Sequence, residues 1–279
     1  MKVWISVDME GIGGIVDRTQ LLPGLSSFER TRPYMVGEMK TAVRAAWEAG
    51  ATAVLVNDSH DGMLTLAWDE LADLPKDTQL ISGTGKRYSM GEGIVGSDVA
   101  LFVGYHAMAG TAKAVMDHTY VGDIYRVRLN GMEVGETGLN AHLAGYFGIP
   151  VGLVAGDQSL AREASTLLPE AEVVITKEAT GRQSARLFSP EVVRERLDAG
   201  VRRAIRRLAA GEGQKPLAAS GPMEIEVGFM TTHAADLANL MPETQRVDGR
   251  TVAVTRPNME DAFVAFRALL RLGGNVPLY

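Results

Sequence analysis

Val3-Trp4-Ile5-Ser6-Val7, running directly into Asp8-Met9-Glu10-Gly11, is the stretch from which the fold of this 279-residue chain is read. Five residues dominated by β-branched and aromatic side chains, with no helical spacing, describe a strand buried on both faces. The two acids and the glycine that follow mark its abrupt end. The same form recurs at residues 53–56 (AVLV), which lead into Asn57-Asp58-Ser59-His60, and at residues 99–104 (VALFVG), which lead into Tyr105-His106. It appears again at residues 150–156 (PVGLVAG), and a helical pattern over residues 38–49 lies between the first two runs. Short continuous runs separated by amphipathic helices predict an α/β fold with a mostly parallel sheet sandwiched by helices.

Further along, residues 125–129, Asn130-Gly131 and residues 132–134 read as a β-hairpin, because Asn-Gly supplies the positive φ angles of a tight turn. A helix is expected to begin just beyond it, near Glu136. Past about residue 170 the texture changes. Ser189-Pro190-Glu191 combines an N-cap, a first-turn proline and a first-turn acid. It opens a helix with Val193, Leu197, Val201, Ala204 and Leu208 on one side and arginines opposite, ending at Gly211. A polar link over residues 213–222 leads to strand-like runs at 223–229 and 251–255. The expected division is an α/β metal-binding catalytic domain over residues 1–175 and a smaller C-terminal α+β domain over residues 176–279. No internal repeat or low-complexity tract interrupts it.

Composition narrows the chemistry. The chain has no cysteine, which removes disulfides, thiolate nucleophiles, cysteine zinc sites and iron–sulfur clusters together. Any metal must be held by His, Asp and Glu. The net charge is -6, and the arginine-rich residues 194–207 read as a helix face, so no nucleic-acid partner is expected. No window approaches the roughly 18 uninterrupted apolar residues of a membrane span, and the acidic pair near the amino terminus does not suit a secretory leader. A cytoplasmic protein without a membrane partner is expected.

The candidate ligands sit at strand ends. Asp8 and Glu10 follow the first run, His60 the second and His106 the third. In a parallel α/β sheet the carboxyl ends of the strands line one edge, where such folds bind ligands. Taken singly, each has an ordinary alternative: a helix-capping or solvated acid for Asp8 and Glu10, a surface loop histidine for His60, a buried hydrogen-bonded histidine for His106. Together they converge on one edge. Asp8 and Glu10 can address the same ion if Met9 faces away, since residues i and i+2 of an extended chain share a face. Mixed histidine and carboxylate ligands suit zinc first, then manganese, cobalt or iron(II).

Competing motifs fail on spacing. Gly11, Gly13 and Gly14 follow a strand, but Val16 stands where a dinucleotide fingerprint needs glycine, and Asp8 with Glu10 would repel a pyrophosphate. Gly83-Thr84-Gly85-Lys86 lacks the spacing of a phosphate loop. There is no Gly-x-Ser-x-Gly elbow, which leaves water activated by a metal as the nucleophile.

Five blocks in order, SVDMEG (6–11), VNDSH (56–60), GYHA (104–107), VGETGLNA (134–141) and NLMP (239–242), resemble the D-aminopeptidase family of the bacterial dipeptide-transport operon, the DppA-like M55 metallopeptidases. The resemblance runs nearly end to end. It implies two zinc ions per chain held by Asp8, Glu10, His60, His106 and Glu136, of which Glu136 is added by the resemblance alone; by itself it reads as a first-turn helix acid. Five ligands for two ions require a bridging carboxylate, for which Asp8 is the choice, across about 3.5 to 4 Å. The resemblance also assigns a catalytic role to His118, in VMDHT, as general acid-base or as nucleophile.

His142 and His233 receive ordinary readings, while Asn140, at i+4 from Glu136, is placed to support the site. Gln158 stands after Asp157 where the family has a second acid, which bears on substrate selection. The implied activity is zinc-dependent hydrolysis of short peptides with an N-terminal D-residue, such as D-Ala-D-Ala, by a ring-shaped homodecamer. Two other readings stay open: the same chemistry on another amide or ester, or a non-catalytic zinc-containing peptide-binding protein linked to dipeptide uptake. The carboxylate-rich ligand set argues against the last, since structural zinc prefers closed, cysteine-rich sites.

Overall fold

Val3, Ile5 and Val7 belong to one hydrophobic core and Trp4 to another, so the first strand, β1 (Lys2–Val7), is buried on both faces as its sequence requires. The structure, a computed structural model, describes residues 1–274. After β1 come α1 (Ser26–Glu48), β2 (Ala53–Asp58), β3 (Thr78–Ile81), β4 (Val99–Val103), β5 (Ile124–Leu129), β6 (Met132–Glu133), α2 (Glu136–Tyr146), β7 (Val151–Asp157), α3 (Gln158–Leu167), β8 (Glu172–Gly181), β9 (Ser184–Leu187) and α4 (Pro190–Ala209). The chain continues through β10 (Met223–Phe229), α5 (Thr232–Ala238), β11 (Gln245–Arg246), β12 (Thr251–Arg256) and α6 (Met259–Gly273). No helix among the described residues is long and apolar enough to cross a membrane.

The main sheet has the order β3-β2-β1-β4-β7-β8-β9, parallel throughout except for the final antiparallel pair β8–β9. The parallel, helix-sandwiched α/β reading therefore holds. The chain builds outward from β1 through β2 to β3 on one side and from β4 through β7 to β8 on the other. The topological switch falls between β1 and β4, and crevices for ligands open beyond the carboxyl ends of strands at such a switch. α1 and α4 cover one face with Met35, Met39, Val43, Leu197 and Val201. α2 and α3 cover the other with Ala141, Ala144, Leu160 and Ala164.

α1 begins earlier than the pattern over residues 38–49 predicts and runs through Pro33. Proline in a helix interior removes one backbone bond. Here Phe28, Met35 and Met39 continue the buried stripe across it, and that packing outweighs the missing donor.

The expected boundary at residues 175 and 176 falls inside β8, which pairs with β7 in the main sheet, and α4 packs on the same layer. Arg203 and Arg207 of α4 reach Glu172 of β8, so the arginine face of this helix is tied down rather than freely solvated. The second sheet, order β11-β12-β10-β5-β6, is antiparallel and recruits the hairpin β5–β6 from the first half of the chain. That hairpin turns at Asn130 and Gly131, both with positive φ (47° and 81°), as the dipeptide predicts. Among the described residues, those from 176 onward thus contribute to both sheets, and the second sheet draws two strands from before the expected boundary. Strand pairing between distant segments, which local patterns do not encode, decides the membership.

The second core contains Ile225, Val227, Phe229, Phe263 and Phe266, and it takes Leu139 and Leu143 from α2. α2 is consequently wedged between two cores, with Ala141 and Ala144 facing the other. This fixes its first residue, Glu136, at the seam between the sheets.

Candidate metal centre

Asp8, Glu10, His60, His106, His118 and Glu136 converge in two clusters beyond the ends of β1, β2 and β4. Backbone bonds hold the segments that carry Asp8, Glu10, His60 and His106 in register past the strands. Asp8 N–H donates to Val103 O (2.9 Å), Ser59 N–H to Val7 O (2.8 Å) and Gly11 N–H to Gly104 O (2.7 Å). The last contact needs glycine on both sides. A Cβ on Gly11 would stand 1.8 Å from Tyr105 O, and one on Gly104, where φ is 74°, would stand 2.2 Å from Asp8 O.

In the first cluster, His60 Nδ1 lies 3.1 Å from Glu10 Oε2 and 3.4 Å from Asp8 Oδ1. In the second, His106 Nε2 lies 3.2 Å from Glu136 Oε2 and 3.6 Å from Asp8 Oδ2. Asp8 stands between the clusters and presents one oxygen to each. Met9 faces away into the hydrophobic core, which lets Asp8 and Glu10 point the same way. All five residues are buried.

His118 stacks on His106 with ring centroids 4.0 Å apart. Its Nδ1 is 2.8 Å from Met116 O, which makes Nδ1 the N–H donor and leaves the Nε2 lone pair directed inward. Nε2 lies 3.7 Å from Glu136 Oε1 and 4.0 Å from Glu10 Oε1. At 22% exposure its side chain is the most open of the group, so it faces the approach to the site. The same position also brings it into the second cluster, within reach of an ion shared with His106 and Glu136.

The electrostatics are those of a buried acidic cluster that favours positive charge. Burial, reinforced by Glu10, pushes the Asp8 carboxyl up to about 8. Burial opposes ionisation of Glu10 and Glu136 too, but His60 beside Glu10 and His106 beside Glu136 outweigh it and hold both carboxyls below their ordinary range. Burial likewise opposes charge on His60 and His106, and their carboxylate neighbours override it, raising both imidazoles well above their usual value. His118 goes the other way, lowered first by burial and then by His106, so its ring stays neutral. A dication between these carboxylates would supply the charge that the protonated imidazoles otherwise bring.

Two orphaned atoms test whether the residues fit a metal. His106 Nε2 and Asp8 Oδ2 are buried without a hydrogen-bond partner. Because His106 Nδ1 is 3.1 Å from Ala107 O and serves as its donor, Nε2 is the nitrogen that would give up its proton and present a lone pair to a cation. Two buried, unpartnered atoms that face each other and can both become donors to a cation fit a metal, and nitrogen with carboxylate oxygen is a zinc donor set.

Supporting groups extend outward. Tyr105, buried beneath the site, exchanges a hydrogen bond with Ser6 Oγ (2.7 Å) and accepts one from Asn140 Nδ2 (3.0 Å). Asp157 caps α3 and accepts from Val115 N–H (2.7 Å), anchoring the loop that leads to His118. Sequence reasoning did not single out Tyr105 or Asp157, although an aspartate opening a helix directly after a strand was a visible cap signal. Gln158 donates to Lys113 O (2.8 Å) and accepts from Ala179 N–H (2.6 Å), which ties the same loop to β8. His142 is buried on Gly138 O (2.7 Å) and His233 is exposed, and both lie outside the two clusters.

Residues 1–268 match the family model described as D-aminopeptidase. The chain is 36% identical over 273 residues to a D-aminopeptidase of Bacillus subtilis (strain 168), covering 97% of this chain and 96% of that one. Its fold is similar to that of the Zn-dependent D-aminopeptidase DppA from Bacillus subtilis, described as a self-compartmentalizing protease. That match has a TM-score of 0.94 and 35% identity, and it spans the whole of both chains.

Proposed function

The chain belongs to the D-aminopeptidase family, and from that premise we propose that it hydrolyses short peptides bearing an N-terminal D-amino acid, with two zinc ions per chain. The observation that carries the proposal is Asp8, which turns one oxygen toward His60 and Glu10 and the other toward His106 and Glu136. His60, Glu10 and Asp8 would hold one ion; His106, Glu136 and Asp8 the other. Three carboxylate charges against two dications leave the site cationic, which suits a carbonyl oxygen on its way to an oxyanion. Zinc bound there would polarise the scissile carbonyl and ease deprotonation of water.

His118 is proposed as the group that moves protons. Its ring is neutral, its Nε2 lone pair faces the cluster, and Met116 O fixes its tautomer. It can therefore accept a proton from the attacking water at Nε2 and return it to the leaving amine. Glu10 and Glu136, flanking it, stabilise the imidazolium formed between those two events.

The relative's self-compartmentalizing character supports a ring-shaped homodecamer with the sites facing an enclosed space. Leu64, Trp68 and Leu240 are largely exposed here and are candidates for burial in such an assembly. Light scattering of the purified chain tests this directly.

The activity is tested with D-Ala-D-Ala, its L-isomer and its N-acetylated form. The D-peptide should be cleaved at least about tenfold faster than the L-peptide, and acetylation should stop the reaction, as expected of discrimination in the transition state. Comparable rates on both isomers, or cleavage of the acetylated peptide, would leave a hydrolase that is not a D-aminopeptidase.

A further inference from the structure

The loop that carries Glu10 away from β1 is held from the far side of the main sheet by two neighbouring residues of β8. Thr176 Oγ1 donates to Gly11 O (2.6 Å). Lys177 Nζ donates to the carbonyls of Glu10 (2.5 Å), Ile12 (2.8 Å) and Ile15 (2.6 Å). These three bonds use every N–H of the ammonium. Lys177 is fully buried and, among the described residues, makes no ion pair with a carboxylate.

A charged lysine in such a place is costly, because its direct partners are carbonyl dipoles and the carboxylates that favour its charge, Glu38 first, make no ion pair with it. What it gains is geometry. Three backbone oxygens from one short loop converge on a single point, as they would around a small inorganic cation, and the chain supplies that cation from its own strand. On the opposite side, Gly13 N–H donates to Glu38 Oε1 of α1 (2.7 Å). Residues 10–15 are thus gripped by β8 through their carbonyls and by α1 through an amide. Release of the carbonyl grip would leave three oxygens facing one another in a dry space, and the loop would have to turn its peptide planes to relieve them. Glu10 is the first residue of that loop, and its carboxylate is one of the His60-side donors.

We propose that Lys177 is a positioning residue, whose ammonium fixes the Glu10 loop and thereby sets zinc affinity in the half of the site formed by Glu10 and His60, with Thr176 as its lesser partner. The proposal rests on the two-zinc reading above. It goes beyond that reading by making the two halves of the site unequally dependent on β8: the His106 and Glu136 half has no such tie to Lys177.

The test is zinc titration of the metal-stripped chain against a competing chelator dye, with the fold monitored by circular dichroism. Wild type should bind two ions. Lys177→Met, which keeps the length of the side chain and removes the ammonium, should weaken one ion by about tenfold or more, the scale of losing an outer-shell partner, and leave the other nearly unchanged. Thr176→Val should weaken the same ion by a smaller factor. The affected ion is identified by combination with Glu10→Gln: the double variant Lys177→Met/Glu10→Gln should bind no worse than Glu10→Gln alone. Equal binding by wild type and both single variants, or equal weakening of both ions in a folded Lys177→Met, would overturn the proposal while leaving the two-zinc reading intact. A wild type that binds fewer than two ions would instead strike at that reading. Should Lys177→Met not fold, Thr176→Val decides: selective weakening of one ion supports the proposal and unaltered binding overturns it.

Discussion

His106 Nε2 and Asp8 Oδ2 face each other across 3.6 Å, both buried and neither hydrogen-bonded. Buried polar atoms left without a hydrogen bond are costly, and a cation between these two would satisfy both. The arrangement is what the proposed site requires on its His106 side, and the other Asp8 oxygen, 3.4 Å from His60 Nδ1, serves the proposed His60 side in the same way.

From this follows a prediction about which substitutions cost which ion. Asp8→Asn should weaken both ions, because it removes the charge shared by the two shells. Glu136→Gln should weaken only the ion on the His106 side and Glu10→Gln only the one on the His60 side. Metal content by inductively coupled plasma mass spectrometry at limiting zinc checks this. Loss of a single ion in Asp8→Asn would show that Asp8 does not bridge.

His118 can be either a proton carrier or a ligand from where it stands, and metal content separates the roles. His118→Ala should keep both ions and lose roughly a hundredfold or more in turnover, the range of a general acid-base group. Loss of an ion with the activity would make it a ligand beside His106. Unchanged turnover would remove it from the mechanism.

Glu38 yields a pH prediction. Its Oε2 is buried without a partner, and burial pushes the carboxyl up from 4.5 to about 7, against the pull of the Gly13 amide, Lys177 and Arg194. A carboxyl raised in the folded state contributes stability that is present below its unfolded value and is lost as pH rises through the folded one. The folded chain should therefore lose stability to Glu38 between pH 4.5 and about 7. Glu38→Gln abolishes this titration. Relative to wild type the variant should gain stability across that window, by up to about 3 kcal/mol at 1.36 kcal/mol per pKa unit. Urea unfolding of both proteins at a series of pH values, with zinc saturating, measures the difference. Parallel curves for the two would contradict it.

Much of this was legible because it is local. Residues 3–7, 53–56 and 99–103 announce buried strands by composition, and the residues just past them must then share an edge, so Asp8, Glu10, His60 and His106 follow from position. Glu136 does not. Its place depends on α2 being wedged between two cores, one of them built from strands about a hundred residues later in the chain, and only the family resemblance pointed to it. The first turns of α1 were hidden by Pro33, whose local cost is overcome by packing on the sheet. Lys177 was invisible for a different reason. A lysine near an assumed domain boundary reads as solvated charge, and its burial is decided by carbonyls more than 160 residues away in sequence.

The most direct test of the central claim is the zinc content of the chain purified without chelator, read together with its hydrolysis of D-Ala-D-Ala before and after metal removal. Two ions per chain are predicted, since Asp8, Glu10, His60, His106 and Glu136 exceed one tetrahedral shell. Activity should vanish on stripping and return in proportion to zinc restored, with His60→Ala and His106→Ala each lowering the count. One ion or none in the wild type, or full metal content and activity in both alanine variants, would contradict the account.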